Sequence, residues 1–235
     1  MATEDFTTFT EVDIPADRIT VNSASKVTVT DGDLDEVFYL YKDYGVNHFA
    51  GDFTHYLDVR LVDGTQNYDQ YAIWALGNAL GAYKTIGNQL YCNLDDTPFG
   101  EFVEIHEIQG GSDAYVRSVD LIQNQTYYLK IVRDETAGTL TCYIYSDAAH
   151  TVLEDTIAVP LTANNDFQYL YAVQSHNAAL TGRAIDGYCE NLDIQEAAAA
   201  VSKKRMLMGV GLMAKTPKFQ PRKVVPYKCP LPLFK

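Results

Sequence analysis

One dense run of ionisable side chains is Glu101-Phe-Val-Glu-Ile-His-Glu107, three carboxylates and an imidazole in one short stretch. Two carboxyl groups about 5 Å apart can act as acid and nucleophile in glycoside cleavage, and in a strand that spacing needs acids at i and i+2. Here Glu101 and Glu107 share a face with Val103 and Ile105, while Glu104 shares the other with His106. No two acids of the run stand two apart, and Glu104 beside His106 reads as a solvated strand face. Asp31-Gly-Asp-Leu-Asp-Glu36 has aspartates at alternate positions, as calcium loops do, but Glu36 stands where an EF-hand requires glycine. That stretch and Asp95-Asp96 read as polar turns. The five histidines, at 48, 55, 106, 150 and 176, form no His-x-x-x-His pair, and no Gly-x-Ser-x-Gly elbow or phosphate-cradling loop occurs. Cys92, Cys142, Cys189 and Cys229 lack paired metal spacing and read as free thiols. The expectation is a protein with no catalytic residues, no metal site and no cofactor.

The elements that would carry these groups are strands. With 235 residues, 47% hydrophobic and 21% charged, the chain is no disordered polymer, and 17 tyrosines with many threonines and valines suit half-buried pleated surfaces. In residues 126–133, Tyr127, Leu129 and Ile131 alternate with Tyr128 and Lys130; in 140–145, Leu140, Cys142 and Ile144 alternate with Thr141, Tyr143 and Tyr145. The polar stretch between them predicts a hairpin. Further strands are predicted over 6–12, 27–30, 37–41, 53–62, 71–76, 89–94, 102–108, 115–119, 152–159, 167–173 and 184–194. Helical periodicity is nearly absent, so the expected architecture is all-β: two packed antiparallel sheets. Trp74, the one tryptophan, is expected in the core. Exposed aromatics are what sugar-binding faces use, but the pattern singles out no saccharide site among the tyrosines.

Net charge is −13, and it is unevenly spread. From residue 197 onward there are nine cations and no acid, so the end of the chain carries +9, and the preceding body, with thirty-one acids against nine bases, carries −22. Five of the eight prolines also fall there. The predicted organisation is therefore a sandwich over 1–196 and a basic arm over 197–235, the arm a short helix followed by an extended strap. Lys203, Lys204, Arg205, Phe219, Arg222, Lys223, Tyr227 and Phe234 are its candidate docking residues, mixing cations with aromatic anchors. An acidic protein surface is the expected partner, bodies of neighbouring copies included, which implies a homo-oligomer. Nucleic acid is a poor partner, because the body repels it. No apolar run is long enough to span a membrane, and the first residues lack the pattern of a secretory leader.

Val37-Phe-Tyr-Leu-Tyr-Lys-Asp-Tyr-Gly45, His48-Phe-Ala-Gly-Asp-Phe53, Tyr127-Tyr-Leu-Lys-Ile-Val-Arg133, Gly138-Thr-Leu-Thr-Cys-Tyr-Ile-Tyr-Ser146 and Gly187-Tyr-Cys-Glu-Asn-Leu-Asp-Ile194 carry a family likeness. The body resembles the concanavalin A-like lectin/glucanase superfamily. More narrowly it is similar to LamG-like jelly-roll modules of tailed-phage and metagenomic viral proteins, which open with a stretch like Phe6-Thr-Thr-Phe-Thr-Glu-Val12. The resemblance implies a jelly-roll sandwich. It further implies a non-enzymatic virion protein, a capsid decoration or a tail or fibre component, whose arm would anchor it to capsid or tail subunits. A carbohydrate-binding module for host glycans is the alternative function. A glycoside hydrolase ranks third, because the superfamily's glucanases carry Glu-x-Asp-x-Glu on one strand and this chain does not.

Overall fold

The computed structural model describes residues 3–14, 17–33, 35–85, 87–176 and 182–196. All eight docking residues of the arm lie outside them. The described residues form a sandwich of two seven-stranded antiparallel sheets. In spatial order the first sheet is β1 (Thr10–Ile14), β4 (Val37–Asp43), β13 (Tyr169–Ser175), β6 (Asp69–Gly77), β7 (Asn88–Thr97), β8 (Gly100–Gln109) and β9 (Ser112–Arg117). The second is β12 (Leu153–Pro160), β11 (Thr139–Tyr145), β10 (Tyr127–Asp134), β5 (Phe53–Gly64), β14 (Ala184–Glu196), β3 (Lys26–Asp33) and β2 (Ile19–Ser23).

Alternation in the sequence maps directly onto burial. Along β10 and β11, Leu129, Ile131, Leu140, Cys142 and Ile144 point into the core, while Tyr128, Lys130, Tyr143 and Tyr145 stay half exposed on the outer face. The predicted hairpin is present, with Arg133 opposite Leu140. Trp74 is fully buried between the sheets, its indole N–H donating to Nδ1 of His55 at 3.0 Å. Cys92, Cys142 and Cys189 are buried free thiols. No described helix is long and apolar enough to cross a membrane.

Two local expectations need correction. Residues 6–8 form a 3-10 turn, because the Asp5 carboxylate caps the Thr7 amide at 3.0 Å and Phe6 drops into the core; the strand begins only at Thr10. In addition, β2 lies in a stretch with no predicted strand. It is a short edge strand whose Ile19 alone is buried, so it carries little alternation to read.

Candidate functional site

The outer face of the first sheet holds Glu104 and His106 of the acidic run, and the structure corrects the reading of that pair. Glu104 and His106 are not solvated: they are 3% and 1% exposed. The segment joining β6 to β7 folds over this face and buries Tyr83 against Tyr91, while Asp113 and Arg117 on edge strand β9 close the side. Asp95 and Asp96 are likewise not a turn but buried strand residues of β7. Register explains the assembly: Tyr91, His106 and Tyr115 lie opposite one another on β7, β8 and β9, so their rings stack at 4.1 and 5.0 Å. His106 places Nδ1 at 2.9 Å from Asp113 and Nε2 at 3.1 Å from Glu104. Arg117 donates to Glu104 at 2.7 Å and to Asp95 at 2.6 Å.

Two carboxyl groups here have pKa values pushed apart. Burial and the nearby Glu104 charge raise Asp95 to about 7. Burial also penalises the Glu104 carboxylate, but the bonds from His106 and Arg117 outweigh it and hold its pKa below the usual value. Such divergence is what an acid–base pair needs. These side chains, however, are only 4% and 5% exposed, and Arg117, His106 and Asn93 already occupy their bonding oxygens. The cluster fastens edge strand β9 to the sheet. Glu101 and Glu107 sit on the opposite face with Val103 and Ile105, as the alternation requires; Glu107 accepts from the Thr162 amide and hydroxyl.

The outer face of the second sheet is open. A groove of about 490 Å³ is lined by Thr3, Tyr56, Asp58, Lys130, Tyr145, Ala148, His150, Asn191 and Asp193. Two cross-strand rows pass beneath it: Tyr145, Tyr128, Asp58 and Glu190, then Tyr143, Lys130, Tyr56 and Asp193, of which Tyr145, Asp58, Lys130, Tyr56 and Asp193 line the groove. A bulge in β14 between Glu190 and Asp193 turns Leu192 into the core and Asn191 outward, its backbone at φ 55°. Asn191 Nδ2 then donates to Asp58 at 2.7 Å. Burial raises the Asp58 carboxyl against that bond.

His150 forms the opposite wall. The Asp147 carboxylate accepts the Thr151 and Val152 amides at 2.9 and 2.6 Å, winding the β11–β12 connection so that His150 sits at φ 54°. A non-glycine residue there is uncommon and strained. Its ring stands edge-on to Tyr145, Tyr56 and Tyr128, at 5.0, 5.4 and 6.2 Å between centroids. Nε2 is buried without a hydrogen-bond partner among the described residues. Sequence reasoning missed this groove. The tyrosines alternate visibly, but the bulge and the turn that bring Asn191 and His150 to them have no local signature.

Metal binding does not fit the described residues: none of their His, Cys, Asp and Glu side chains form a group of three able to hold an ion. Asp31 and Glu36 of the aspartate-rich stretch are instead bound to Arg18, at 2.7 and 2.6 Å.

No family model matches the chain, and no curated protein matches its sequence. Solved structures do match in shape. A functionally unknown protein from Saccharomyces cerevisiae aligns at TM-score 0.56 and 14% identity, over 82% of this chain and 98% of that one. The VIP36 exoplasmic/lumenal domain in its Ca2+/Man3GlcNAc-bound form aligns at 0.56 and 12%, over 81% and 86%. Peanut lectin aligns at 0.52 and 12%, over 79% and 91%. At such identities the likeness concerns fold alone: the described body has a lectin-like jelly-roll sandwich fold.

Proposed function

We propose that the body is a non-catalytic carbohydrate-binding module whose glycan lies in the groove of the second sheet. One observation carries this reading: His150 is held in a strained conformation over a tyrosine-lined groove with a buried, unpartnered Nε2. Ligand sites combine apolar ring faces with a few aimed polar groups in hollows of this size, and backbone strain collects where function requires it. Stacking surfaces come from Tyr56 and Tyr145, and hydroxyl partners from Asp58, Asn191, Asp193 and His150. The fold is shared with peanut lectin and with the VIP36 domain solved with Man3GlcNAc. The test is calorimetric titration of glycans found by array screening, using the full chain. His150→Gly suits the positive φ, so it should leave the melting temperature unchanged or raised while weakening binding about tenfold or more. Undiminished binding overturns the site. Release of reducing sugar would overturn the non-catalytic reading.

A second reading concerns residues 197–235 and rests on the charge division between −22 and +9. We propose that this basic segment is a separate docking arm for an acidic protein surface, as a virion protein anchored to capsid or tail subunits would require. Truncation after Glu196 should abolish incorporation into particles while leaving glycan binding intact. A truncated form incorporated at full occupancy refutes the anchor.

A further inference from the structure

We infer that the groove selects an uncharged glycan and rejects carboxylated or sulfated ones, an inference that rests on the glycan-binding reading above. The groove's charges are unevenly matched. Asp58 and Asp193 both line it, and neither is ion-paired among the described residues: Asp58 accepts from Asn191 Nδ2 at 2.7 Å and Asp193 from Gln195 Nε2 at 3.1 Å, both neutral donors. Among the described lining residues Lys130 is the one lysine or arginine, its ammonium 5.4 Å from the centre of the Tyr143 ring. Glu190, next along the first row, is already matched by Lys26 at 3.3 Å, and Lys26 is further held over the Tyr188 ring. An anionic sugar would have to shed water facing two unpaired carboxylates with one lysine to offset them, and like charges brought together discriminate strongly against a ligand. A neutral sugar meets no such barrier. Its hydroxyls can donate to the carboxylate oxygens left over by Asn191 and Gln195 and accept from Lys130.

The experiment is an array carrying neutral oligosaccharides beside their C6-carboxylated and sulfated counterparts, probed with the full chain at low salt and then at about 0.5 M salt. The expected result is binding of a neutral member about tenfold or more tighter than its acidic counterpart, with the gap narrowing in high salt. Asp58→Asn with Asp193→Asn should close the gap further, and Asp58→Asn alone, which keeps the shape beside Asn191, should close part of it should the double variant fail to fold. Equal or tighter binding of acidic members overturns the selectivity and leaves the glycan-binding reading standing. No binding to any member overturns that reading itself, and the selectivity with it.

Discussion

Arg117→Ala tests whether the buried acids of the first sheet form a structural network. The guanidinium holds Glu104 at 2.7 Å and Asp95 at 2.6 Å, and both carboxylates are nearly inaccessible to water. Removing one partner of a fully buried ion pair costs ~3–5 kcal/mol, because the other charge is stranded. Two features reduce that figure. Arg117 itself is 34% exposed, so water reaches part of the vacated space, and Glu104 keeps His106 and Asn93 as donors. A loss of ~2–3 kcal/mol at pH 8 follows, or a melting temperature ~4–12 °C lower for a body of this size. The pH dependence has a definite sign. Asp95, raised to about 7 by burial and Glu104, contributes stability fully present below its unfolded value and lost as pH rises through about 7. Without Arg117 its pKa rises further, so the carboxyl stays protonated in mild acid and the defect shrinks there. Urea and thermal melts of both proteins at pH 5.5 and pH 8 measure the difference. A deficit below ~1 kcal/mol at pH 8, or a larger one at pH 5.5, refutes the network as described. Replacing the set together with neutral, shape-matched groups (Arg117→Met, Asp95→Asn, Glu104→Gln) should recover most of the loss, since no charge is then stranded.

Glu101 should make the fold alkali-sensitive: burial and the Asp96, Asp120 and Asp63 charges raise its carboxyl to about 7, so the stability it contributes below its unfolded value is lost as pH rises through that point. Glu101→Gln should therefore melt higher relative to the parent at pH 8.5 than at pH 5, and a difference that is constant or reversed between the two defeats the assignment. Gly187 marks a close approach of β14, where a Cβ would stand 2.4 Å from the Tyr71 hydroxyl and 2.6 Å from the Arg60 carbonyl oxygen. Gly187→Ala should cost ~2–3 kcal/mol by overpacking, and adding Tyr71→Phe should restore part of it because that buried hydroxyl has no partner to lose. No recovery in chemical denaturation would show that the backbone contact alone sets the cost.

The architecture was legible because it depends on a repeating physical rule. Alternation at Tyr127, Leu129 and Ile131 and at Leu140, Cys142 and Ile144 names the inward face, and two such sheets must pack. What escaped the sequence was what covers each face. Glu104 and His106 alternate with core residues as any solvated pair would; only the segment carrying Tyr83 and the edge residues Asp113 and Arg117, none adjacent in sequence, make them interior. The bulge at Asn191–Leu192 breaks the period-two rule inside an otherwise regular strand, so the outward turn of Asn191 could not be read from alternation. Asp5 and Phe6 illustrate the same limit on a smaller scale, where a capping carboxylate overrides strand propensity.

Both outer faces combine tyrosine, histidine, aspartate and a cation, so composition does not distinguish a site from a scaffold. Bonding state does. His106 has both ring nitrogens beside carboxylate oxygens and both ring faces covered by Tyr91 and Tyr115; nothing is left over for a ligand. His150 has the same chemistry in the opposite condition. Its Nε2 is buried and unbonded, its ring edge is turned to three tyrosines, and its backbone is kept in a costly conformation by Asp147. A native fold rarely tolerates an orphaned polar atom and a strained residue together unless something offsets them. In the first sheet Arg117 and His106 are shared among the acids. For the groove no described residue partners His150 Nε2, and the proposed glycan site rests on that difference.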